Sequence, residues 1–408
     1  MILSRPTRLT PARPRAAAGV LLAGVALIAL SGPAFALDGT DMVRKLNAAY
    51  SPSGGSIGYQ SIAVDGDTVT LKGASLNPLN EPPVALGDIA FEGVKEKDGG
   101  AYYVETVSFQ DVDMAKDETR ITARNLAIGG LQIPAIATGN SLDNILFYQT
   151  AASGPIEITV KGRQVFSANA MESNVSRKDG DKGLEFDASV TGIKADLATV
   201  EDPQSRATIS QLGLSQLNGE MSMEGEWEVA TGAFSLDDAE IDFDKVGKLS
   251  LTLGLSGYTP TFMNAMQQAI KAAEENPNKE QANQALGLSM LGLAQQLTFT
   301  TAEIRFDDDS LTKRLLDYFG AQQKVSGKQL AESLKGLAPL MVAQLNIPEL
   351  QNQISNAVNT YLSDPKSFTI SANPDKPVPF PMIAGAAMGA PNSIPTMLGV
   401  TVEANTGD

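Results

Sequence analysis

The stretch Leu249-Ser250-Leu251-Thr252-Leu253-Gly254-Leu255-Ser256 places a leucine at every second position, with a small or polar residue between. A period of two sends all four leucines to one side of an extended chain, whereas a helix would scatter them around its axis. The stretch predicts a β-strand with one dry and one wet face, as in antiparallel sheets covered on one side.

The same alternation runs outward from it. Met221, Met223 and Trp227 alternate with Ser222, Glu224 and Glu226. Leu184, Phe186, Ala188 and Val190 alternate with Glu185, Asp187 and Ser189. Ile156, Ile158 and Val160 do so with Glu157, Thr159 and Lys161. Asp65-Gly66-Asp67, Asp98-Gly99-Gly100, Lys161-Gly162, Asp179-Gly180-Asp181 and Asn218-Gly219 read as turns between strands, since Gly and Asn accept positive φ. Two runs change phase midway, at Gly87-Asp88 and at Thr300-Thr301, which predicts bulges that curve the sheet.

Beyond Gly257 the period becomes helical. Thr259 and Pro260 open a helix whose stripe is Phe262, Met263, Met266, Ile270 and Ala273. Ala282, Leu286, Met290 and Leu293 make its hairpin partner. A strand from Leu297 to Phe306 follows. Asp309 is read as the cap of the next helix and Gly320 as its stop. Leu330, Leu334, Leu337, Met341 and Leu345 form another stripe, interrupted by Pro339. Pro348 opens a helix with Leu350, Ile354, Val358 and Tyr361 inward, and residues 368–371 and 399–402 close the chain as strands.

The fold class expected is α+β: curved antiparallel sheet with a C-terminal helical region and returning strands. The organisation expected is a leader over 1–36, a β-rich region over 37–257 and a mixed region over 258–408, the last two being either separate or one continuous domain.

The leader reading rests on three parts. Arg5, Arg8, Arg13 and Arg15 form a basic start, Ala16 to Leu30 is apolar, and Ala34-Phe35-Ala36 is a small-x-small site. This is the pattern of a secretory signal cleaved between Ala36 and Leu37. The apolar run is shorter than the roughly 20 residues of a spanning helix, so no stable transmembrane anchor is expected after cleavage. Losing four arginines moves the formal charge from −16 to −20. The chain has no cysteine, which suits a bacterial periplasm better than a disulfide-stapled extracellular protein.

Composition also limits chemistry. Without cysteine or histidine there is no thiol nucleophile, thiolate zinc site, Ser-His-Asp site or imidazole ligand. The acidic balance argues against nucleic acid as a partner. Gly54-Gly55-Ser56-Ile57-Gly58 matches G-x-S-x-G but lacks the histidine partner, and reads as a loop. Ser310 to Lys313 and Ser363 to Lys366 match Ser-x-x-Lys, which can support acyl transfer without histidine. Calcium would draw on several acidic oxygens, but Asp307-Asp308-Asp309 reads as a helix cap, and Asp179, Asp181 with Glu185 lack the spacing of a calcium loop and read as a hairpin turn. No cofactor or metal is expected.

The segment Pro377 to Val402 carries no charge. It is either buried against the sheet or a contact for a lipid, membrane or envelope protein. Its Phe380, Met382, Ile383 and Met388, with Met263 and Met266, are the candidate apolar contact residues.

The alanine-rich leader, the Asp-Gly-Asp turns, Ile304-Arg305-Phe306-Asp307-Asp308, Leu345-Asn346-Ile347-Pro348-Glu349-Leu350 and Pro377-Val378-Pro379-Phe380-Pro381 resemble an uncharacterised exported family of alphaproteobacteria. The pattern of strands with interleaved helices also resembles YdgA-like and AsmA-like envelope proteins. The second resemblance implies an envelope role involving lipids. The expected function is a non-enzymatic periplasmic protein that binds a lipid, another apolar ligand or an envelope partner. The alternatives are an assembly factor without ligand and, lower, a histidine-independent hydrolase.

Overall fold

The structure, a computed structural model, describes residues 37–51, 55–78, 82–138, 141–343 and 347–407. The leader with Ala36, and also Gly54 and Leu345, lie outside the described residues. Close after Leu37 comes a helix not expected from the sequence, α1 (Gly39–Tyr50), capped by Asp38, whose carboxylate accepts from the Asp41 amide.

Strands then follow in close succession. They are β1 (Gly55–Gly58), β2 (Ser61–Asp65), β3 (Thr68–Pro78), β4 (Val84–Glu92), β5 (Lys95–Glu96), β6 (Tyr102–Phe109), β7 (Val112–Lys116), β8 (Thr119–Ala123) and β9 (Ala127–Ile133). Next come β10 (Thr150–Ser153), β11 (Ile156–Val160), β12 (Arg163–Ala168), β13 (Ala170–Arg177) and β14 (Gly183–Asp196). A second unforeseen helix, α2 (Pro203–Gln211), precedes β15 (Gln216–Glu228), β16 (Phe234–Phe243) and β17 (Gly247–Ser256). The mixed part holds α3 (Pro260–Glu275), α4 (Lys279–Ala294), β18 (Thr298–Asp308), α5 (Leu311–Gln322), α6 (Gly327–Ala343) and α7 (Pro348–Ser363). It ends with β19 (Ser367–Ala372), β20 (Val378–Pro379), α8 (Phe380–Gly389), α9 (Ile394–Met397) and β21 (Val400–Ala404).

All strand pairs are antiparallel. The main order is β2–β3–β4–β6–β9–β10–β13–β14–β15–β16–β17–β18–β19–β21. At β14 the sheet forks: residues 184–191 pair with β13, while Lys194 and Ala195 pair with β12. From β12 a branch runs through β11 and β8 to β7. The chain is therefore a β-rich protein built on one open antiparallel sheet, with its helices concentrated toward the C-terminus.

Most turn and phase readings match. Lys161 and Gly162 have φ of 54° and 76°, the pair of positive values a two-residue hairpin demands. The phase change at Thr300 is a bulge, since Gly254 faces Thr301 while Leu255 faces Phe299. Asn218-Gly219 is a correction. It lies inside β15, where Asn218 faces Lys194 and Gly219 faces Phe243. A Cβ at 219 would come within 2.0 Å of the Asp242 carbonyl, so this glycine permits close strand approach rather than a turn.

Three helix readings also change. The cap of α5 is supplied by Asp308, whose Oδ1 accepts from the Thr312 amide at 2.8 Å, and not by Asp309. Gly320 lies within α5, where a Cβ would press on the Val325 carbonyl at 2.9 Å; the chain turns at Lys324, φ 60°. In α6 the buried side is Leu330, Ala331, Ala338 and Val342, while Leu334, Leu337 and Met341 of the expected stripe are exposed. Two apolar stripes compete on that helix, and only packing selects one. Thr259 does cap α3, accepting from the Phe262 amide.

A cluster of buried apolar side chains lies under α1. Met42, Val43 and Leu46 pack on Val69, Leu71, Ile89, Phe91, Val104, Val107, Leu131 and Ile133. Lys45, Arg44 and Tyr102 converge on Asp41, with Tyr102 donating at 3.0 Å. The Lys45 hydrogen bond, helped by Arg44 and Tyr102, holds the Asp41 carboxyl down to about 2. Burial and the Asp41 hydrogen bond push the Tyr102 phenol up.

Candidate functional site

Directly paired residues on neighbouring strands share a face. Following the register from β2 to β21 gives one continuous row: Val64, Val69, Phe91, Val107, Ile128, Ala151, Ser173, Ala188, Met223, Ala239, Leu251, Ile304, Ile370 and Val402. Ser173 is its one polar member. A second row on the same face runs Met171, Val190, Met221, Ile241, Leu249, Phe306 and Phe368.

Helices cover this face only in places. Under α1, Val69, Phe91 and Val107 are fully buried. Tyr361 of α7 packs its ring on Phe368, 5.4 Å between centroids, and Gln353 of α7 accepts from the Val402 amide on the last strand. At one end of the strands, Trp227, Phe234, Leu255, Phe299 and Val378 form a cross-strand row beneath α3. There the Trp227 indole donates to the Tyr258 carbonyl at 2.7 Å, and Tyr258 packs between Phe234 and Phe262.

Between these covers the face is open. Met171, Met221, Met223, Leu249, Leu251, Ile304 and Ile370 are 37–51 % exposed. On β17 to β19 the usual burial is inverted, because Ser250, Thr252, Arg305 and Thr369 on the opposite face are half-buried or buried. Ion pairs close that polar face: Lys248 with Glu240 at 2.6 Å and Arg305 with Asp307 at 2.7 Å.

The open face is hollowed into two adjoining grooves. One, of about 480 Å³, lies where the sheet forks and is walled by Phe109, Val112, Ile128, Ile156, Met171 and Val190. The other, of about 270 Å³, is walled by Met221, Met223, Ile241, Leu249 and Leu251. Both reach Ala188 and Val190. Small side chains at Ala151, Ser173, Ala188 and Ala239 make the depth, and methionines supply adaptable walls. From β10 to β19 there are seven strand-to-strand steps, so the open apolar face is about 34 Å across, with the grooves ending at β17 and Ile304 and Ile370 continuing the exposed row.

A larger hollow of about 860 Å³ is polar, lined by Arg177, Glu185, Asp187, Glu224 and Glu226. Arg177 is committed there to Asp143, Asp181, Gln132 and the Leu142 carbonyl.

The sequence-level serines do not meet their lysines. Ser310 donates to the Lys245 carbonyl while Lys313 pairs with Asp317. Ser363 donates to the Asn359 carbonyl while Lys366 pairs with Asp364. Ser56 lies in β1 opposite Asn77, rather than in the loop expected for it. Among the described residues no acidic cluster is placed to hold a metal ion.

The candidate contact residues divide. Phe380, Ile383 and Met388 of α8 line an apolar notch with Leu291 and Ala294 of α4, about 380 Å³ in volume. Met382 is exposed beside it, and Met263 and Met266 are half-buried on α3. The trough itself was missed. Its alternating residues were visible, but the sequence does not say which sheet face stays uncovered.

Fold and face together define an open-sheet protein with an uncovered apolar trough. Residues 240–405, from β16 to the end of β21, match the model of a family described as "Uncharacterized protein". That span contains the segments 304–308, 345–350 and 377–381 that carried the sequence resemblance. No curated protein matches the chain.

Proposed function

We propose that this is an exported, non-enzymatic envelope protein that carries a lipid with its acyl chains laid across the strands of the trough. The observation that carries the reading is the inverted burial on β17 to β19, where Leu249, Leu251, Ile304 and Ile370 face outward. Fully burying one such side chain is worth roughly 1.5–3 kcal/mol, and a half-exposed position leaves about half of that for an occupant. A stretch about 34 Å long exceeds the thickness of one leaflet, about half of the 30 Å hydrocarbon core. A protein partner would call for Trp, Tyr or Arg anchors within the open stretch, and its floor holds Ala, Met, Leu and Ile. Export to the periplasm follows from the three-part leader.

The test is to produce the chain with its own leader, purify it from a bacterial periplasm and examine it by native mass spectrometry with lipid extraction. The purified chain should begin at Leu37 and carry a reproducible lipid, and a Met223→Asp/Leu251→Asp variant should lose that lipid with an unchanged circular dichroism spectrum. A lipid-free wild type, or a variant that keeps its lipid, would reject the reading.

A further inference from the structure

Leu288 and Leu291 on α4 are 73 % and 58 % exposed, and Met382 and Met388 on α8 are 57 % and 85 % exposed. The two helices are neighbours, since Leu291 and Met388 wall the same notch. The Phe380 amide donates to the Leu297 carbonyl at 3.0 Å, which ties the start of α8 to the end of the α4 segment. In a chain that is 19 % charged, both segments are neutral: residues 281–302 and 377–402 contain no Asp, Glu, Lys or Arg.

We infer that the α4–α8 tip is a membrane-contact element that seats the protein on a lipid bilayer. The occupant is identified by charge and shape. Protein interfaces carry a polar rim and aromatic or Arg anchors. This tip offers protruding Leu and Met, an α4 without charge beyond its first two residues, an uncharged α8, and an apolar notch of about 380 Å³ that accepts the end of an acyl chain. Interfacial helices that use electrostatics carry Lys and Arg, and none is present in either segment. The acidic whole chain is repelled by anionic headgroups, so attachment is driven by apolar insertion alone.

The position gives the contact a purpose, and this part rests on the trough reading. The same strands β17 and β18 that floor the trough lead into α3 and out of α4, and β20 joins β18 to α8. The tip therefore stands at the strand ends that bound the trough, where a lipid leaving a bilayer would reach the apolar face.

The test uses the mature chain and vesicles of phosphatidylcholine alone or mixed with phosphatidylglycerol, read by flotation. The wild type should float with neutral vesicles regardless of salt, and should bind anionic vesicles better as salt screens the repulsion. Leu288→Lys/Met388→Lys should weaken flotation by at least roughly tenfold. Ile136→Lys, at a residue 69 % exposed in the segment between β9 and β10, should leave flotation unchanged. A wild type that does not float, a double variant that floats normally, or equal loss from Ile136→Lys would overturn the inference. So would a wild-type dimer that the double variant converts to monomer, since the tip would then join two copies. Soluble short-chain phosphatidylcholine separates the two readings. The tip variant should still bind it, and Met223→Asp should not. Normal binding by Met223→Asp together with intact flotation would reject the trough and keep the tip.

Discussion

Leu251 on β17 faces Ile304 on β18 directly across the ladder, and both side chains are exposed. Their sequence neighbours Thr252 and Glu303 form the next pair, facing the opposite side, and are half-buried. A pair of large aliphatic residues on the more solvated face is stable only because neighbouring strands hold the backbone. The proposed lipid reading rests on such exposed aliphatic pairs.

Replacing Leu251 by Asp should therefore cost about 1–2 kcal/mol of folding stability, for the part of the side chain the fold already covers, while abolishing lipid retention. The same row under α1 should behave differently. Phe91→Ala removes a buried ring and should cost about 3–5 kcal/mol. Urea unfolding of the two variants, beside lipid quantification, checks both ends of one row.

Asp41 ties α1 to the sheet by accepting from Tyr102 of β6, and it pairs with Arg44 and Lys45 of its own helix. Its carboxyl is held down to about 2 in the fold, against 3.8 for the ordinary group. The carboxylate's contribution is fully present above the ordinary value and is lost as pH falls through the folded value. Stability should decline between roughly pH 4 and pH 2. Asp41→Asn should be less stable at pH 7 and should show a flatter acid limb. Unfolding midpoints across that range supply the measurement.

Gly257 joins β17 to α3 with φ 90°, and a Cβ there would come within 1.9 Å of the Gln296 carbonyl. Gly257→Ala should destabilise the protein by about 2–4 kcal/mol, through both left-handed strain and collision with backbone. The loss should appear as loosening around Trp227, whose indole donates to Tyr258 next to the substituted residue. Tryptophan fluorescence during unfolding reports it, since this is the chain's single Trp.

Ser310→Ala and Ser363→Ala should leave any hydrolase activity of the purified protein unchanged, because both hydroxyls are spent on backbone carbonyls. Complete loss of a measured activity in either variant would reinstate the Ser–Lys reading. Ser310→Ala should cost about 1 kcal/mol of stability from the lost Lys245 contact.

Much of this was legible along the chain. The leucine alternation at 249–255 gave β17, the helical stripe from Phe262 gave α3, and the slipped phase at Thr300 gave a bulge, because each is a local preference of backbone and side chain. α1 escaped notice because its Met42, Val43 and Leu46 stripe is short and sits between the leader and a Ser/Gly-rich stretch. Asn218-Gly219 looked like a turn because dipeptide chemistry is local, while the pairing of β15 on both sides is not. In α6, Leu334 and Met341 were as good a stripe as Ala331 and Ala338 until α5 and α7 packed against one side.

Side-chain order along the chain set the strands, their two chemically distinct faces and the uncharged runs 281–302 and 377–402. Those properties depend on side-chain order along one chain, with a period of two or 3.6 residues. Packing alone places α1, α3 and α7 over the ends of the apolar face and leaves Met223, Leu251 and Ile304 open. Coverage depends on where helices distant in sequence come to rest, and no periodicity records that. The trough is a property of the register across β10 to β19, which exists only once the strands are side by side.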